Sequence, residues 1–343
     1  MISKSIRVLI TAVGGDLGQA VVKSLRLSEI GIEIFGCDSN PGGVGGAFVD
    51  SCQTTPLAEN SGQYVTAIES ICRENDIHAV IPCSEPEIDV LSQIGPPLRL
   101  PSGAVIVCQP QEWIGRFGDK LRCMEALENV VPIAPFADGQ DSEAVRLLVG
   151  RAGFPLVIKG RASWGSRSLR VAHDENELRF FLTEISAPVV QAYLDDAGGE
   201  FSVGLFACDE FCTVVNYKRE LGPVGCTWLA ETSEDAAVLD YASRVAAATG
   251  LRGSANLQVR KTSQGVRMLE INPRFSSLVA ARAICGFRDA EWSLLAALKM
   301  KLPVPPPSYQ HIRFRRYFHE LVDFGDGFNA IENWNPRSKY ANQ

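Results

Sequence analysis

The sequence predicts a mixed α/β and α+β protein, with a parallel α/β unit to about residue 110 and a less regular arrangement of strands and helices beyond it. Three observations carry this expectation: an apolar strand that runs into a glycine turn, strand–helix alternation up to a proline-rich stretch at 96–101, and a change of texture after it. At 343 residues the chain exceeds one ordinary core, so two or three packed units are expected.

Residues 6–10 (IRVLI) read as a strand ending in the turn Gly14-Gly15-Asp16-Leu17-Gly18. Ala20, Val21, Leu25 and Leu27 then give a helical pattern. A second strand at 32–37 ends at Asp38, and a glycine-rich loop at 42–46 follows. A helix near 61–74, a strand at 78–82 and a last strand at 104–108 complete the unit. Further on, helices are expected around 119–129 and 141–152, and a strand at 156–159 leads into a loop of small and basic residues at 160–168. A helix at 174–185 precedes strands at 188–193, 200–207 and 211–217. A helix at 233–249, a hairpin at 254–272 and a helical stretch to about 300 come next. Prolines at 303–307 end it, and the polar end at 334–343 is expected to be loosely held.

An apolar share of 46% with 21% charged residues fits a folded protein. The net charge of −7 argues against a nucleic-acid partner, which needs a basic face. The ten cysteines include no CxxC pair, and Cys208 and Cys212 are the nearest neighbours, so buried reduced thiols are expected. There is no apolar leader, and no window approaches the ~20 apolar residues of a membrane span. A cytoplasmic protein with no membrane partner is the expectation.

Strand, glycine turn and helix form a setting in which backbone N–H groups can hold a phosphate. Asp38 lies where a ribose-binding acid would stand. Aligning the dinucleotide fingerprint on Gly15 and Gly18, however, places Val13 at the first glycine, where a branched side chain opposes the tight turn. An NAD(P)-dependent oxidoreductase or epimerase is thus an alternative that the fingerprint supports only in part. A plain α/β turn, or a site for another ligand, also fits.

The segment 254–274 (SANLQVRKTSQGVRMLEINPR) carries the strongest chemistry. Ser263-Gln264-Gly265 suits a three-residue hairpin loop. If Thr262 pairs with Val266, Gln258 falls opposite Glu270 and Asn256 opposite Asn272. Alternation then puts Gln258, Glu270 and Asn272 on one face, with Leu257, Val259, Leu269 and Ile271 on the other. Three oxygen-bearing side chains on one face suit a hard cation. A solvated hairpin face fits the same pattern.

Through Asn256, Gln258, Glu270, Asn272, Pro273 and Arg274, the segment resembles the metal-binding end of the ATP-grasp superfamily, closest in wording to carbamoyl phosphate synthase large-chain domains. The resemblance implies a two-lobed ATP-grasp fold after a pre-ATP-grasp domain at 1–110. The N-terminal lobe would be 111–190, the C-terminal lobe with its metal hairpin 191–310, and a strand with a loose tail 311–343. It also implies ATP and two Mg²⁺ ions, with Mn²⁺ as a substitute. Gln258 and Glu270 would hold one ion, and Glu270 and Asn272 the other. Arg274 would face the transferring phosphate.

Other parts of the family pattern follow in order. Lys120, in Gly118-Asp119-Lys120, resembles the first nucleotide lysine and Lys159 the second. The loop at 160–168, with Gly165 and Ser166, resembles the phosphate-covering loop, whose small residues let backbone N–H groups approach. It departs from the pattern at Gly160, Trp164 and Ser168. Gln191, Tyr193 and Leu194 fall in the segment that resembles the adenine-binding linker, where Gln191 and Ala192 replace the usual Glu and Lys. Glu200 matches the acid on the ribose hydroxyls. The stretch at 81–87 resembles the preceding α/β unit, and Ser277 stands where carbamoyl phosphate synthase has arginine, so a stand-alone relative is expected.

The implied reaction is ADP-forming, C–N bond-forming ligation: a carboxylate attacks the γ-phosphate, and an amine displaces phosphate from the acyl phosphate. Lys159 and Arg274 would be the catalytic cations. Such chemistry uses no protein nucleophile, and His319 reads as structural. Arg219, Arg282, Arg313 and Arg315 are candidates for a substrate carboxylate. A non-catalytic ATP-binding regulator is the other alternative. Small-molecule acid and amine partners are implied, and a homodimer is allowed.

Overall fold

In the computed structural model, residues 5–162, 169–222, 225–317, 321–323 and 328–330 are described. The first unit opens with β1 (Ile6–Ile10), α1 (Asp16–Arg26), β2 (Ile32–Asp38), a 3-10 turn (Val44–Phe48), β3 (Ser51–Thr54) and α2 (Ser61–Glu74). It closes with β4 (Ala79–Ile81), α3 (Glu85–Ser92) and β5 (Val105–Ile106). The strands form a parallel sheet in the order β3-β2-β1-β4-β5. Val8, Leu9 and Ile10 are fully buried because both faces of β1 are covered. The chain leaves β1 on one side and returns at β4 on the other, which opens a crevice beyond their carboxyl ends. Sequence patterning missed β3, whose four residues are mostly exposed, and α3, which a Ser84–Glu87 capping box begins.

A smaller lobe follows, with α4 (Gln111–Phe117), α5 (Lys120–Leu127), β6 (Phe136–Asp138), α6 (Ser142–Ala152), β7 (Leu156–Gly160), β8 (Arg170–Ala172), α7 (Glu175–Glu184) and β9 (Pro188–Ala192). Its sheet runs β6-β9-β7-β8. Asp119 caps α5 by accepting from the N–H groups of Leu121 and Arg122, which sets Lys120 at the first helical position.

The last unit is built from β10 (Gly199–Ala207), β11 (Cys212–Leu221), β12 (Thr227–Ser233), α8 (Ala236–Thr249), β13 (Gly253–Thr262), β14 (Gly265–Asn272), α9 (Val279–Cys285), α10 (Asp289–Ala297) and β15 (Arg313–Arg315). The six strands pair antiparallel in the order β14-β13-β10-β11-β12-β15. Phe201, Val203 and Leu205 with Ala255, Leu257 and Val259 pack against α8 and α5. Glu200, Ser202, Asn256 and Gln258 alternate onto the opposite face. Phe275, Val279, Ala290 and Leu294 join the core around β1 and α1, so α9 and α10 tie the last unit to the first. A further pair, β16 (Leu321–Asp323) and β17 (Phe328–Ala330), lies near the end. His319 and the polar tail at 334–343 lie outside the described residues.

The hairpin reaches the expected pairing by a different route. Thr262 pairs with Gly265, leaving the two-residue loop Ser263-Gln264 instead of three. A bulge then takes up one residue: Val259 pairs with Met268, and Gln258 with Glu270. Asn256 faces Asn272 as expected. Leu269 is the extra residue. Met268 and Ile271 enter the core, while Leu269 lines the same cavity as Glu270, which corrects its expected face.

Two other expectations are corrected. Of the cysteines, Cys37, Cys72, Cys83, Cys123 and Cys285 are buried, but Cys52 and Cys212 are exposed; all ten are unpaired. Arg282 is not available to a substrate. Its guanidinium is fully buried, donating to Asp289 Oδ2 at 3.2 Å and Asn256 Oδ1 at 2.6 Å. Arg282→Ala leaves a buried carboxylate without its cation, and should lower unfolding stability in urea by about 3–5 kcal/mol. A loss under about 1 kcal/mol would contradict this role.

Candidate functional site

The smaller lobe faces the large sheet across a cavity of about 350 Å³, which is within the range of small-ligand sites. On β7, Leu156 and Ile158 point into the small-lobe core while Val157 and Lys159 line the cavity. Lys120 enters from α5, and Gln191, Tyr193 and Leu194 from β9 and the segment after it. The large sheet contributes Glu200, Arg219, Gln258, Arg260, Leu269 and Glu270. Leu169, Val171 and Leu221 add to its apolar wall.

The charged groups form two clusters. In the first, Lys120 Nζ lies 3.9 Å from Glu270 Oε2, and Asn272 Nδ2 donates to Glu270 Oε1 at 3.1 Å. Lys159 Nζ donates to Gln191 Oε1 at 3.2 Å, and the Gln191 amide rests on the Met124 sulfur. Burial opposes ionisation of Glu270, but Lys120, Asn272, Lys159 and Arg274 together hold its carboxyl below the ordinary range. Burial lowers Lys159 to about 8, with Glu270 the chief opposing influence. Burial also lowers Lys120, again against Glu270.

The second cluster surrounds Glu200. Arg260 donates to one of its oxygens, and Arg219 Nη2 approaches the other at 3.3 Å. Arg219 Nη2 also donates to Gln258 Oε1 at 2.7 Å, which links this cluster to the strand pair bearing Glu270. Arg219, expected to be a substrate-carboxylate candidate, therefore belongs to this cavity. Arg260 was missed, although its spacing of two from Gln258 places it on the same face. Arg313 and Arg315 are exposed at the far edge of the sheet, where Arg313 pairs with Glu231. Arg274 donates to Glu85 Oε1 at 2.5 Å and lies outside the cavity's lining, though its charge acts on Glu270. Gly165 and Ser166 lie outside the described residues.

Among the described residues, no three His, Cys, Asp or Glu side chains gather as a metal cage. Glu270 with the Asn272 and Gln258 amides is a hard-oxygen set that fits a cation completed by anionic ligand oxygens and water. At the first glycine turn, Gly14 N–H donates to Asp38 Oδ2 at 2.8 Å. Gly45 packs so closely on this turn that a Cβ there would lie 2.6 Å from Gly14 N.

Residues 184–318 match a family model described as "ATP-grasp in the biosynthetic pathway with Ter operon". The carbamoyl phosphate synthase arginine-specific large chain of Geobacillus stearothermophilus is 26% identical over 190 residues, covering 52% of this chain and 18% of that one. The formate-dependent phosphoribosylglycinamide formyltransferase of Rhodococcus jostii is 24% identical over 318 residues, covering 84% of this chain and 74% of the relative. Among solved structures, the biotin carboxylase domain of the Hydrogenobacter thermophilus 2-oxoglutarate carboxylase superposes with a TM-score of 0.71 at 14% identity, covering 88% of this chain and 72% of that one. The chain spans less than a fifth of the carbamoyl phosphate synthase length. Among the described residues, no helix is long and apolar enough to cross a membrane.

The Lys159 ammonium should titrate near pH 8, measurable by NMR of labelled lysine or by pH-dependent acylation. Unfolded, it titrates at about 10.4. The unfolded chain therefore binds more protons across that window, and this group's contribution to stability rises with pH. In Glu270→Gln the midpoint should fall further, since the main influence raising it is gone. An unchanged midpoint would contradict the pairing.

Proposed function

With an ATP-grasp fold and an ATP-grasp family match as the premise, we propose that the chain is an ATP- and Mg²⁺-dependent, ADP-forming ligase that joins a carboxylate to an amine or similar nucleophile. The observation that carries this reading is Glu270, set between Asn272 and Gln258 and facing Lys120 and Lys159 from the other lobe. The solved biotin carboxylase domain, similar in fold, holds MgADP and bicarbonate, which supports the nucleotide assignment.

In this reading Lys120 and Lys159 bind the polyphosphate, and Glu200 turns toward the ribose between Arg219 and Arg260. Leu194, Leu269, Val157 and Val171 supply apolar surface for the base. Glu270 with Asn272 and Glu270 with Gln258 are the positions for two cations. Bound Mg²⁺ would neutralise phosphate charge and align the attack. Gln258 Oε1 accepts from Arg219 Nη2, so a cation held by Gln258 would take the place of that hydrogen bond. Arg274 and Lys159 meet the charge that develops as the substrate carboxylate attacks phosphorus. The acid then carries a good leaving group, and the amine displaces phosphate. No side-chain nucleophile is required.

ADP release screened over carboxylic acids with hydroxylamine present should yield a hydroxamate of the true substrate. Glu270→Ala should cut that turnover by at least about 10²-fold while keeping a cooperative melt. Near-normal turnover in a folded variant would remove Glu270 from the mechanism. MgADP binding with no ADP formed from any acid–amine mixture would favour a regulator.

A further inference from the structure

The proposed reaction makes no use of Pro82-Cys83-Ser84-Glu85-Pro86-Glu87, where β4 gives way to α3. The placement of this segment is nevertheless closely set. Glu87 Oε2 accepts from Thr11 Oγ1 at 2.6 Å and from Ser84 Oγ at 2.8 Å, which ties the first turn of α3 to the end of β1. Glu85 is thereby fixed at the first position of the helix, where the helix dipole favours a carboxylate.

From there Glu85 reaches across to the last unit. Its Oε1 accepts from Arg274 Nε at 2.5 Å, and the two side chains are each only 18% exposed. Arg274 Nη1 donates to the Phe275 carbonyl at 3.0 Å. Bonds at two different nitrogens fix a planar group in orientation as well as position.

Arg274 also feels a second carboxylate. It follows Glu270 and Asn272 at spacings of two, and its charge acts on Glu270. Glu85 in turn acts on Lys120, whose Nζ lies 3.9 Å from Glu270 Oε2. Two carboxylates thus share these cations, Glu85 taking Arg274 and Glu270 taking Lys120. A guanidinium on a flexible stem that lost Glu85 would turn to the carboxylate that remains, because an unpaired charge in so sheltered a place is unfavourable. That carboxylate is the one proposed to hold the cations.

We infer that Glu85 is a positioning residue, which anchors Arg274 away from Glu270 and so keeps the Glu270 carboxylate open to a cation. This role rests on the proposed nucleotide and metal site. Through it the first unit governs a charge in the site from outside the cavity.

A double-mutant cycle on Mn²⁺ affinity tests this without turnover. Mn²⁺ is titrated by EPR into the full chain saturated with ADP. Glu85→Gln should weaken Mn²⁺ binding at least about tenfold where Arg274 is present, and less than about threefold in the Arg274→Met background. Equal losses in the two backgrounds would overturn the proposal, since a through-space charge effect or a loosened α3 acts whether or not Arg274 is there. No loss in either background would overturn it as well. If Glu85→Gln does not melt cooperatively, Glu85→Asp, which shortens the reach, runs the same cycle. An unaltered chain that binds no Mn²⁺ with ADP would overturn the nucleotide and metal site itself, and this role with it.

Discussion

A carboxylate drawn partly out of water is pushed toward protonation unless cations hold it charged. Glu270 is held so by Lys120 and Lys159, which come from the opposing lobe, and by Arg274. None of these charges is comfortable alone: burial lowers both lysines, and Glu270 opposes that in each case. The facing of the two sheets is therefore what makes the site electrostatically tolerable. Four cations, Lys120, Lys159, Arg219 and Arg260, meet two carboxylates across the cavity. A chain of net charge −7 thus carries a local excess of positive charge suited to an anionic ligand.

Much of this was legible before any coordinates. The long elements declared themselves through periodicity, as in β1, α1, α2 and α8, and their order placed Lys120, Lys159, Glu200 and Glu270 in sequence along the chain. The Gln258–Glu270 pairing was reached by an incorrect loop length, and a bulge at Leu269 made up the difference. Bulges leave no reliable mark in a strand of mixed residues. Strands β3, β8 and β12 escaped because they are short or alternate poorly.

The arginines show where sequence reasoning stops. Arg282 sits in a short apolar helix with Asp289 seven residues on, a pattern compatible with a buried pair, yet only tertiary placement shows the guanidinium spent on Asp289 and Asn256. Arg219 reads as an ordinary strand charge until β10, β11 and β13 come into register and bring Glu200 and Gln258 beside it. The same buried network joins the strand bearing Gln258 to α10. Because α9 and α10 also complete the core around β1, the first unit and the last share one packed core.

The central claim is that Glu270 is the ion-bearing carboxylate of a nucleotide site. Crystals grown with ADP and Mn²⁺ test it directly, because the metal can be located by anomalous scattering. The account predicts an anomalous peak within coordinating distance of the Glu270 carboxylate, with the ADP phosphates beside Lys120 and Lys159. A well-ordered ADP whose only metal peak lies away from Glu270 would contradict it.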